Sequence, residues 1–210
     1  SQGHPGVVRT FPHVPGIDCA GTVIESSSVD YRPGDEVLIT GYELGAGHWG
    51  GFAGFVRVPA EWIVPLPAGL TVREAMIYGT AGFTAAQCVT AIAERGIKPH
   101  HGPVVVTGAT GGVGSLAVAI LAKLGYEVAA VTGKDNQHDW LRRLGANEIL
   151  ARKDVLDDTD RPLLASRWAA GVDTVGGNPL TTILRSLQHR GCVAACGLVA
   201  GTDLPLTIYP

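Results

Sequence analysis

The segment that decides the fold is Val104-Val105-Val106-Thr107-Gly108-Ala109-Thr110-Gly111-Gly112-Val113-Gly114-Ser115. Its three valines predict a buried strand, and the apolar sequence from Gly112 to Leu124 predicts a helix directly after it. A glycine-rich turn in this position is typical of dinucleotide-binding folds. Residues without a Cβ atom let the backbone approach a pyrophosphate, whose charge the N–H groups of the helix start can solvate. A P-loop is excluded, since no Lys follows Gly114.

The glycines of this turn have different predicted roles. Gly111 and Gly112 would give the close approach to the phosphates, and Gly114 would let the helix pack tightly onto the sheet. The alternative is a tight turn between strand and helix that binds no ligand. Four glycines within seven residues favour the ligand-binding interpretation.

The end of the next strand, Ala130-Val131-Thr132-Gly133-Lys134, indicates which dinucleotide is bound. NAD-binding folds usually place an Asp or Glu there to hold the ribose 2′-hydroxyl, but the first carboxylate here is Asp135. A hydroxyl, a backbone amide and an ammonium group suit a 2′-phosphate better, so the sequence predicts NADP(H). Arg152, after the third strand, is a candidate second cation. Lys134 and Arg152 could also be ordinary surface cations.

From Pro103 onward, predicted strands and helices alternate, which predicts an α/β domain with a Rossmann doubly wound parallel sheet. The predicted strands are Val104–Val106, 127–131, Glu148–Leu150, 172–175 and 192–196, and the predicted helices are 112–124, 138–144 and 180–188. Two turns at the carboxyl ends of the later strands, Thr174–Gly177 and Cys196–Leu198, are candidates for holding a nicotinamide. Both could instead be ordinary turns.

The first seventy residues predict a partial, β-rich unit. An apolar stretch at 19–25 and strands at 36–40, 52–58 and 62–64, separated by Pro/Gly turns, favour a small barrel-like arrangement. A capping-box pattern, Thr71 to Glu74, then opens a helical segment at 72–95 that Gly79 and Gly82 are expected to kink. We therefore expect a β-rich domain over 1–76 and a dinucleotide-binding domain over 77–210. The abrupt first and last segments suggest a chain cut at both ends.

Composition narrows the class of protein. The 210 residues carry 16 basic and 19 acidic side chains, and 46% of them are hydrophobic. The absence of a basic cluster argues against a nucleic-acid partner, and no apolar run approaches the ~18–20 residues of a membrane span. Four scattered cysteines without a C-x-x-C pair predict reduced thiols and a cytoplasmic location. No Cys/His cluster has the spacing of a catalytic metal site, so no metal is expected.

One further family is excluded on the residues. The glycine pattern also fits the short-chain dehydrogenases, but none of the five tyrosines is followed four residues later by the Lys that their Tyr-x-x-x-Lys acid requires.

Together the motifs resemble the medium-chain dehydrogenase/reductase superfamily in its zinc-free, quinone oxidoreductase-like branch. More narrowly, they are similar to the acrylyl-CoA reductase (NADPH) family of the YhdH/AcuI type. The runs that carry the resemblance are 11–23, His48–Gly51, Gly79–Ala85, Thr107–Ser115, Leu144–Ala146, Asp173–Gly176 and Gly191–Leu198. The resemblance covers essentially the whole chain. Gly16-Ile17-Asp18 stands where zinc alcohol dehydrogenases carry Gly-His-Glu.

This resemblance implies a GroES-like catalytic domain, a Rossmann domain, a homodimer, and reduction of acrylyl-CoA to propanoyl-CoA with NADPH. The implied cofactor contacts are Thr110, Gly111, Gly112, Val113, Thr132, Gly133, Lys134, Arg152 and Leu198. Lys134 stands where the family has Arg, which keeps the charge but loses the guanidinium fork.

For the reaction itself, the polar candidates are Asp18, His48 and Thr84. Asp18 could also be a structural carboxylate held by backbone N–H groups, and His48 a solvated surface residue. Two other functions remain open at this point. One is an NADPH:quinone oxidoreductase of the same fold, and the other is a non-catalytic dinucleotide-binding protein.

Overall fold

A computed structural model describes Val8 and residues 10–207. Contacts between Cα atoms divide the chain into two compact units, Ser1–Thr80 and Ala81–Pro210. The division falls after Thr80, whereas the sequence predicts a boundary after residue 76.

The first unit contains a three-stranded antiparallel sheet in the order β1-β2-β3. The strands are β1 (Asp18–Thr22), β2 (Glu36–Thr40) and β3 (Val64–Pro65). The central strand buries Val37 and Ile39 on one face, as the period-two pattern of a half-buried strand requires. The predicted strand 36–40 is confirmed.

Two other predictions for this unit are wrong. Residues 52–58 form bends and irregular backbone, and the aromatic rings of Phe52 and Phe55 are both exposed. Their alternating pattern finds no partner strand among the described residues, and a strand without a partner leaves its backbone groups unpaired. The segment predicted as strand 62–64 begins as a 3-10 helix, Ala60–Trp62, before the short β3. The described residues therefore form an open sheet and not a barrel.

Helix α1 (Val72–Glu94) begins with the predicted capping box. The Glu74 N–H donates to Thr71 Oγ1 (3.2 Å), and the Thr71 N–H donates to Glu74 Oε2 (2.9 Å). The helix breaks at Gly79, whose φ of 47° and ψ of −152° are not helical, so the predicted kink is confirmed there.

The sequence predicts no apolar run long enough for a membrane span, and the length and hydropathy of α1 correct that expectation. The helix has 23 residues and contains an 18-residue window with a mean hydropathy of 1.2, so it is long and apolar enough to cross a membrane by those two criteria alone. The break at Gly79 divides it into two helical stretches, each shorter than the ~20 residues of a span. Core helices of soluble proteins also meet the same criteria.

The second unit is built on a five-stranded parallel sheet in the order β6-β5-β4-β7-β8. The strands are β4 (Val104–Val106), β5 (Val128–Val131), β6 (Glu148–Leu150), β7 (Trp168–Asp173) and β8 (Leu187–Ala195). The helices are α2 (Gly112–Lys123), α3 (His138–Arg143) and α4 (Gly177–Arg185). This strand order is the doubly wound order of a Rossmann sheet, which confirms the predicted fold.

Apolar side chains cover both faces of this sheet. Val104 and Val106 of β4 pack in one cluster with α1, α2 and α3, whereas Val105 packs in a second cluster with Ile183 of α4. Successive side chains of a strand point to opposite faces, so a run of buried valines requires helices on both sides.

Three element starts were predicted too late in this unit. β7 begins at Trp168 and is buried throughout. Its first residues were not predicted, because Trp168-Ala169-Ala170-Gly171 lacks the β-branched residues that mark a strand. Helix α4 begins at Gly177 and not at residue 180, since Pro179 is compatible with the first turn of a helix. β8 begins at Leu187, five residues before the predicted start.

Candidate functional site

The glycine loop lies between β4 and α2 and is shaped by its own backbone. Gly108 has a φ of +57°, which favours glycine. Its carbonyl accepts the N–H of Gly111 at 2.8 Å. A Cβ atom at Gly114 would lie 2.8 Å from the Gly108 carbonyl carbon, closer than any side chain tolerates. Gly114 therefore packs against the loop itself, and not against the sheet as predicted.

The start of α2 presents three backbone donors. Ser115 makes the first intrahelical bond, donating to the Gly111 carbonyl at 3.0 Å. Within the described chain, the N–H groups of Gly112, Val113 and Gly114 have no bonded acceptor. Unpaired donors at the positive end of a helix form an anion site. The loop thus fits a pyrophosphate, for both its space and its charge.

The predicted adenosine-end residues are brought together beside this loop. Thr132 Oγ1 lies 3.3 Å from Thr110 Oγ1 and accepts the N–H of Lys134 at 3.1 Å. A Cβ atom at Gly133 would lie 2.7 Å from Arg152 Nε, so the guanidinium group lies directly over this glycine. Five of the nine predicted cofactor residues therefore form one cluster, called here the adenosine cluster: Thr110, Thr132, Gly133, Lys134 and Arg152.

This cluster has a net positive charge. Lys134 and Arg152 are both exposed, and neither forms an ion pair with any described residue. Thr132 is buried, and its hydroxyl faces Thr110. Two unpaired cations beside two hydroxyls form a surface that suits a phosphate group.

A network at the end of β7 was not predicted from the sequence. Asp173 is fully buried; its Oδ1 accepts the Thr107 hydroxyl at 2.6 Å and its Oδ2 accepts the Gly176 N–H at 2.7 Å. Thr107 Oγ1 in turn accepts the Thr174 N–H at 2.9 Å. The only sequence signal is an Asp at the end of an apolar strand, because the partner lies 66 residues earlier in the chain.

Leu198 lies on the loop that follows β8. Its side chain is exposed, and its carbonyl accepts the Gly201 N–H at 3.1 Å. The same loop is tied to the end of β7, because the Ala200 N–H donates to the Val175 carbonyl at 2.8 Å. Leu198 thus lies at the carboxyl edge of the sheet, the edge that also carries the glycine loop.

Two thiols at this edge are held in the protonated state. Burial, together with the neighbouring Cys88 and Asp173, raises the pKa of Cys196 to about 12. Cys196 is exposed as a residue, but its thiol donates to the Asp173 carbonyl at 3.5 Å. Burial also raises the pKa of Cys88. Neither thiol has the lowered pKa of a catalytic nucleophile.

The three candidates for the reaction lie in different parts of the chain. In the first unit, Asp18 Oδ1 accepts both the N–H (2.8 Å) and the hydroxyl (2.7 Å) of Thr80. His48 Nδ1 lies 3.0 Å from the Trp49 carbonyl and, because a carbonyl only accepts, carries the hydrogen of that bond. Thr84 belongs to the second unit and is half-buried in α1.

Metal ligands are not clustered in the part of the chain that the structure describes. No group of three or more His, Cys, Asp or Glu side chains there could hold a metal ion.

The five-stranded sheet, its glycine loop and the additional β-rich unit define a nucleotide-binding α/β protein. Residues 112–210 match the zinc-binding dehydrogenase domain family, and residues 2–68 match the alcohol dehydrogenase GroES-like domain. The chain belongs to the medium-chain dehydrogenase/reductase superfamily, which confirms the resemblance carried by its motifs.

Within this superfamily, the chain is 53% identical over 205 residues to acrylyl-CoA reductase AcuI of Ruegeria pomeroyi, covering 98% of this chain and 62% of the relative. It is 48% identical over 204 residues to the putative quinone oxidoreductase YhfP of Bacillus subtilis, covering 97% and 62%. The chain thus spans less than two thirds of the length of these relatives.

Solved structures agree with this relationship. The yhdH oxidoreductase of Salmonella enterica, in complex with NADP, superposes with a TM-score of 0.92 at 53% identity, over 96% of this chain and 61% of that one. Bacillus subtilis yhfP, with NAD bound, superposes with a TM-score of 0.93 at 47% identity, over 97% and 62%.

Proposed function

We propose that this protein reduces the carbon–carbon double bond of an α,β-unsaturated acyl-CoA, converting acrylyl-CoA to propanoyl-CoA, with NADPH as the reductant. The observation that carries the proposal is the edge of the parallel sheet. There, three unpaired N–H groups at Gly112–Gly114 lie at the same edge as a cluster of free cations. The 53% identity to a protein named acrylyl-CoA reductase supports the choice of acceptor.

Residues at this edge of the sheet support NADPH as the cofactor. The N–H groups at the start of α2 would hold the pyrophosphate, since no described acceptor uses them. Lys134 and Arg152 would hold the 2′-phosphate, and Thr132 lies close enough to support them. Leu198 would contact the nicotinamide end.

When bound, the nicotinamide would supply a hydride for the β-carbon of the enoyl thioester. The protein must then provide donors for the charge that develops on the thioester oxygen, and a proton for the α-carbon. The candidates that we propose for these roles are His48 of the first unit and Thr84 of the second. The Nδ1–H of His48 is already used by the Trp49 carbonyl, so Nε2 is the nitrogen left to exchange a proton.

Asp18 is the weaker candidate for proton transfer. One of its oxygens already accepts two bonds from Thr80. This geometry favours the structural role for the carboxylate that the sequence also allowed.

The second candidate function is NADPH:quinone oxidoreduction, which the name of the Bacillus subtilis relative favours. A quinone is flat and neutral, whereas a CoA thioester carries phosphates that need cations. Oxidation of NADPH by the complete gene product, measured with acrylyl-CoA, crotonyl-CoA and a quinone, separates the two. Higher kcat/KM for acrylyl-CoA supports our proposal, and higher kcat/KM for the quinone overturns it. Tight NADPH binding with no turnover of any acceptor would indicate a non-catalytic protein.

The choice between NADPH and NADH is tested at Lys134. The Lys134→Asp substitution should weaken NADPH binding by about tenfold or more and leave NADH binding within about threefold, because only NADPH carries a 2′-phosphate. Lys98→Asp is the matched control, since this exposed lysine precedes β4 at the opposite edge of the sheet. Titration of each variant with both cofactors measures the effect. An equal loss for NADH and NADPH would contradict the assignment of the 2′-phosphate site.

We further propose a cytoplasmic homodimer with small-molecule substrates and neither nucleic-acid nor membrane partners. The four cysteines, all of them among the described residues, are free thiols, which suits a reducing compartment. Light scattering of the complete gene product tests the oligomeric state, and a monomer at micromolar concentration would contradict it. Fractionation of the source cells tests the location.

A further inference from the structure

Asp173 is a buried carboxylate that the proposed chemistry does not use. Its side chain is fully buried, and none of the ion pairs among the described residues includes it. A buried charge without a cation is costly unless hydrogen bonds compensate it. Asp173 accepts three: from the Thr107 hydroxyl at 2.6 Å, and from the N–H groups of Val175 at 3.3 Å and Gly176 at 2.7 Å.

One branch of this network fixes the start of the glycine loop. Thr107 and Thr174 are joined twice, by the Thr174 N–H to Thr107 Oγ1 (2.9 Å) and by the Thr174 hydroxyl to the Thr107 carbonyl (3.0 Å). The Thr174 hydroxyl fills the space in which a side chain of Gly108 would lie. The Gly108 carbonyl in turn accepts the hydrogen bond of the Gly111 N–H. The orientation of the phosphate-binding donors therefore depends on Thr107.

The other branch fixes the loop that carries Leu198. Asp173 Oδ2 bonds the Gly176 N–H, and Gly176 has a φ of +74°. A Cβ atom there would lie 2.9 Å from the Gly197 carbonyl oxygen, so the two turns are in close contact. The Val175 carbonyl also accepts the Ala200 N–H at 2.8 Å. This branch fixes the position of the Leu198 loop, which lies at the end of the proposed site opposite to the adenosine cluster.

We propose that Asp173 is a positioning residue, which holds the phosphate-binding loop and the Leu198 loop in register and so sets affinity for the whole dinucleotide without touching it. The inference rests on the proposed function, and it names a residue which that function does not require by contact. Asn is a poor substitute, because both carboxylate oxygens accept hydrogen bonds here and an amide NH2 would face a donor.

The test uses the Asp173→Asn variant of the complete gene product and two ligands, NADPH and adenosine 2′-phosphate, which reaches only the adenosine cluster. We expect NADPH affinity to fall by about tenfold or more and adenosine 2′-phosphate affinity by less than about threefold. The exposed Asp139→Asn on α3 is the matched control and should bind both ligands as the wild type does. Unchanged NADPH affinity, or an equal loss for both ligands, overturns the inference. If the wild type does not bind NADPH, the proposed function fails instead.

A second pair of variants keeps the test decisive if Asp173→Asn does not fold. Thr107→Ser retains the hydroxyl, whereas Thr107→Val has nearly the same shape and removes it. We expect the Ser variant to bind NADPH like the wild type and the Val variant to bind it about tenfold more weakly. Equal NADPH affinity of these two variants overturns the inference.

Discussion

At the scale of single residues, Gly114 shows how a missing side chain lets two stretches of backbone come into close contact. A Cβ atom there would lie 2.8 Å from the Gly108 carbonyl carbon and 2.9 Å from the Ala109 Cα. We expect Gly114→Ala to lower the free energy of unfolding by about 1–3 kcal/mol, because backbone must move to accept the methyl group. Since the displaced loop is the phosphate site that we propose, NADPH affinity should fall as well.

Gly54 provides the control for this substitution. A Cβ atom at Gly54 meets no heavy atom within 4 Å. We expect Gly54→Ala to change the free energy of unfolding by less than about 0.5 kcal/mol. Urea denaturation of both variants, followed by NADPH titration, makes the comparison. Equal stability of the two variants would show that the glycine loop can relax.

The two possible roles of Asp18 make opposite predictions for one substitution. Its Oδ1 accepts the N–H of Thr80 at the break in α1, where it acts like an N-cap. Asp18→Asn keeps an acceptor oxygen and loses the charge, so a structural role predicts nearly unchanged kcat. Asp18→Ala loses the acceptor and should cost about 1 kcal/mol of stability. If Asp18→Asn folds normally but loses most of its kcat, the carboxylate belongs to the reaction.

At the scale of elements, the first turn of α1 predicts a dependence on pH. Hydrogen bonds from the Thr71 hydroxyl and the Thr71 N–H lower the pKa of Glu74 below its usual value of 4.5. Because the pKa is lower in the folded state, this stabilisation is complete above pH 4.5 and is lost as the pH falls through the folded value. Glu74→Gln should therefore be less stable than the wild type near neutral pH and converge with it in acid.

Denaturation at several pH values measures this effect. The exposed Glu25→Gln is the control in the same unit, since its side chain makes no hydrogen bond to any described residue. A difference between wild type and Glu74→Gln that persists in strong acid would contradict the role of the charge.

The helices and strands also show which parts of the fold could be predicted from the sequence. The strands Glu36–Thr40, Val104–Val106 and Glu148–Leu150 were predicted to the residue, because their apolar runs are bounded by turns or by a helix start. β7 was misplaced because its alanines and glycine carry no strand preference. Here the packing of neighbouring side chains decides instead, since a Cβ atom at Gly171 would lie 3.3 Å from Val105 and 3.4 Å from Ile183.

In the candidate site, too, residues that belong to a local sequence pattern could be predicted, whereas contacts between distant positions could not. The glycine loop and the end of β5 are local patterns, so Gly111, Gly112 and Thr132 could be predicted from their neighbours in sequence. The bond between Thr107 and Asp173 spans 66 positions. Such a contact exists only because β4 and β7 are neighbours in the sheet, and nothing near either residue in the sequence specifies it.

At the scale of the whole molecule, the division into two units predicts which part of the chain NADPH binding would stabilise. Every residue that we propose for cofactor binding lies in the unit Ala81–Pro210. A ligand that binds only the folded state stabilises it by about 2.7 kcal/mol at a concentration one hundred times its Kd. We expect this stabilisation in the second unit, with NADPH slowing amide exchange most at Gly112–Gly114, whose donors the pyrophosphate would occupy. Hydrogen exchange with and without saturating NADPH measures it. The 3-10 helix Pro99–His101, which follows Lys98 at the other edge of the sheet, is the internal control. Protection around Lys98 equal to that of the glycine loop would mean that NADPH binds elsewhere.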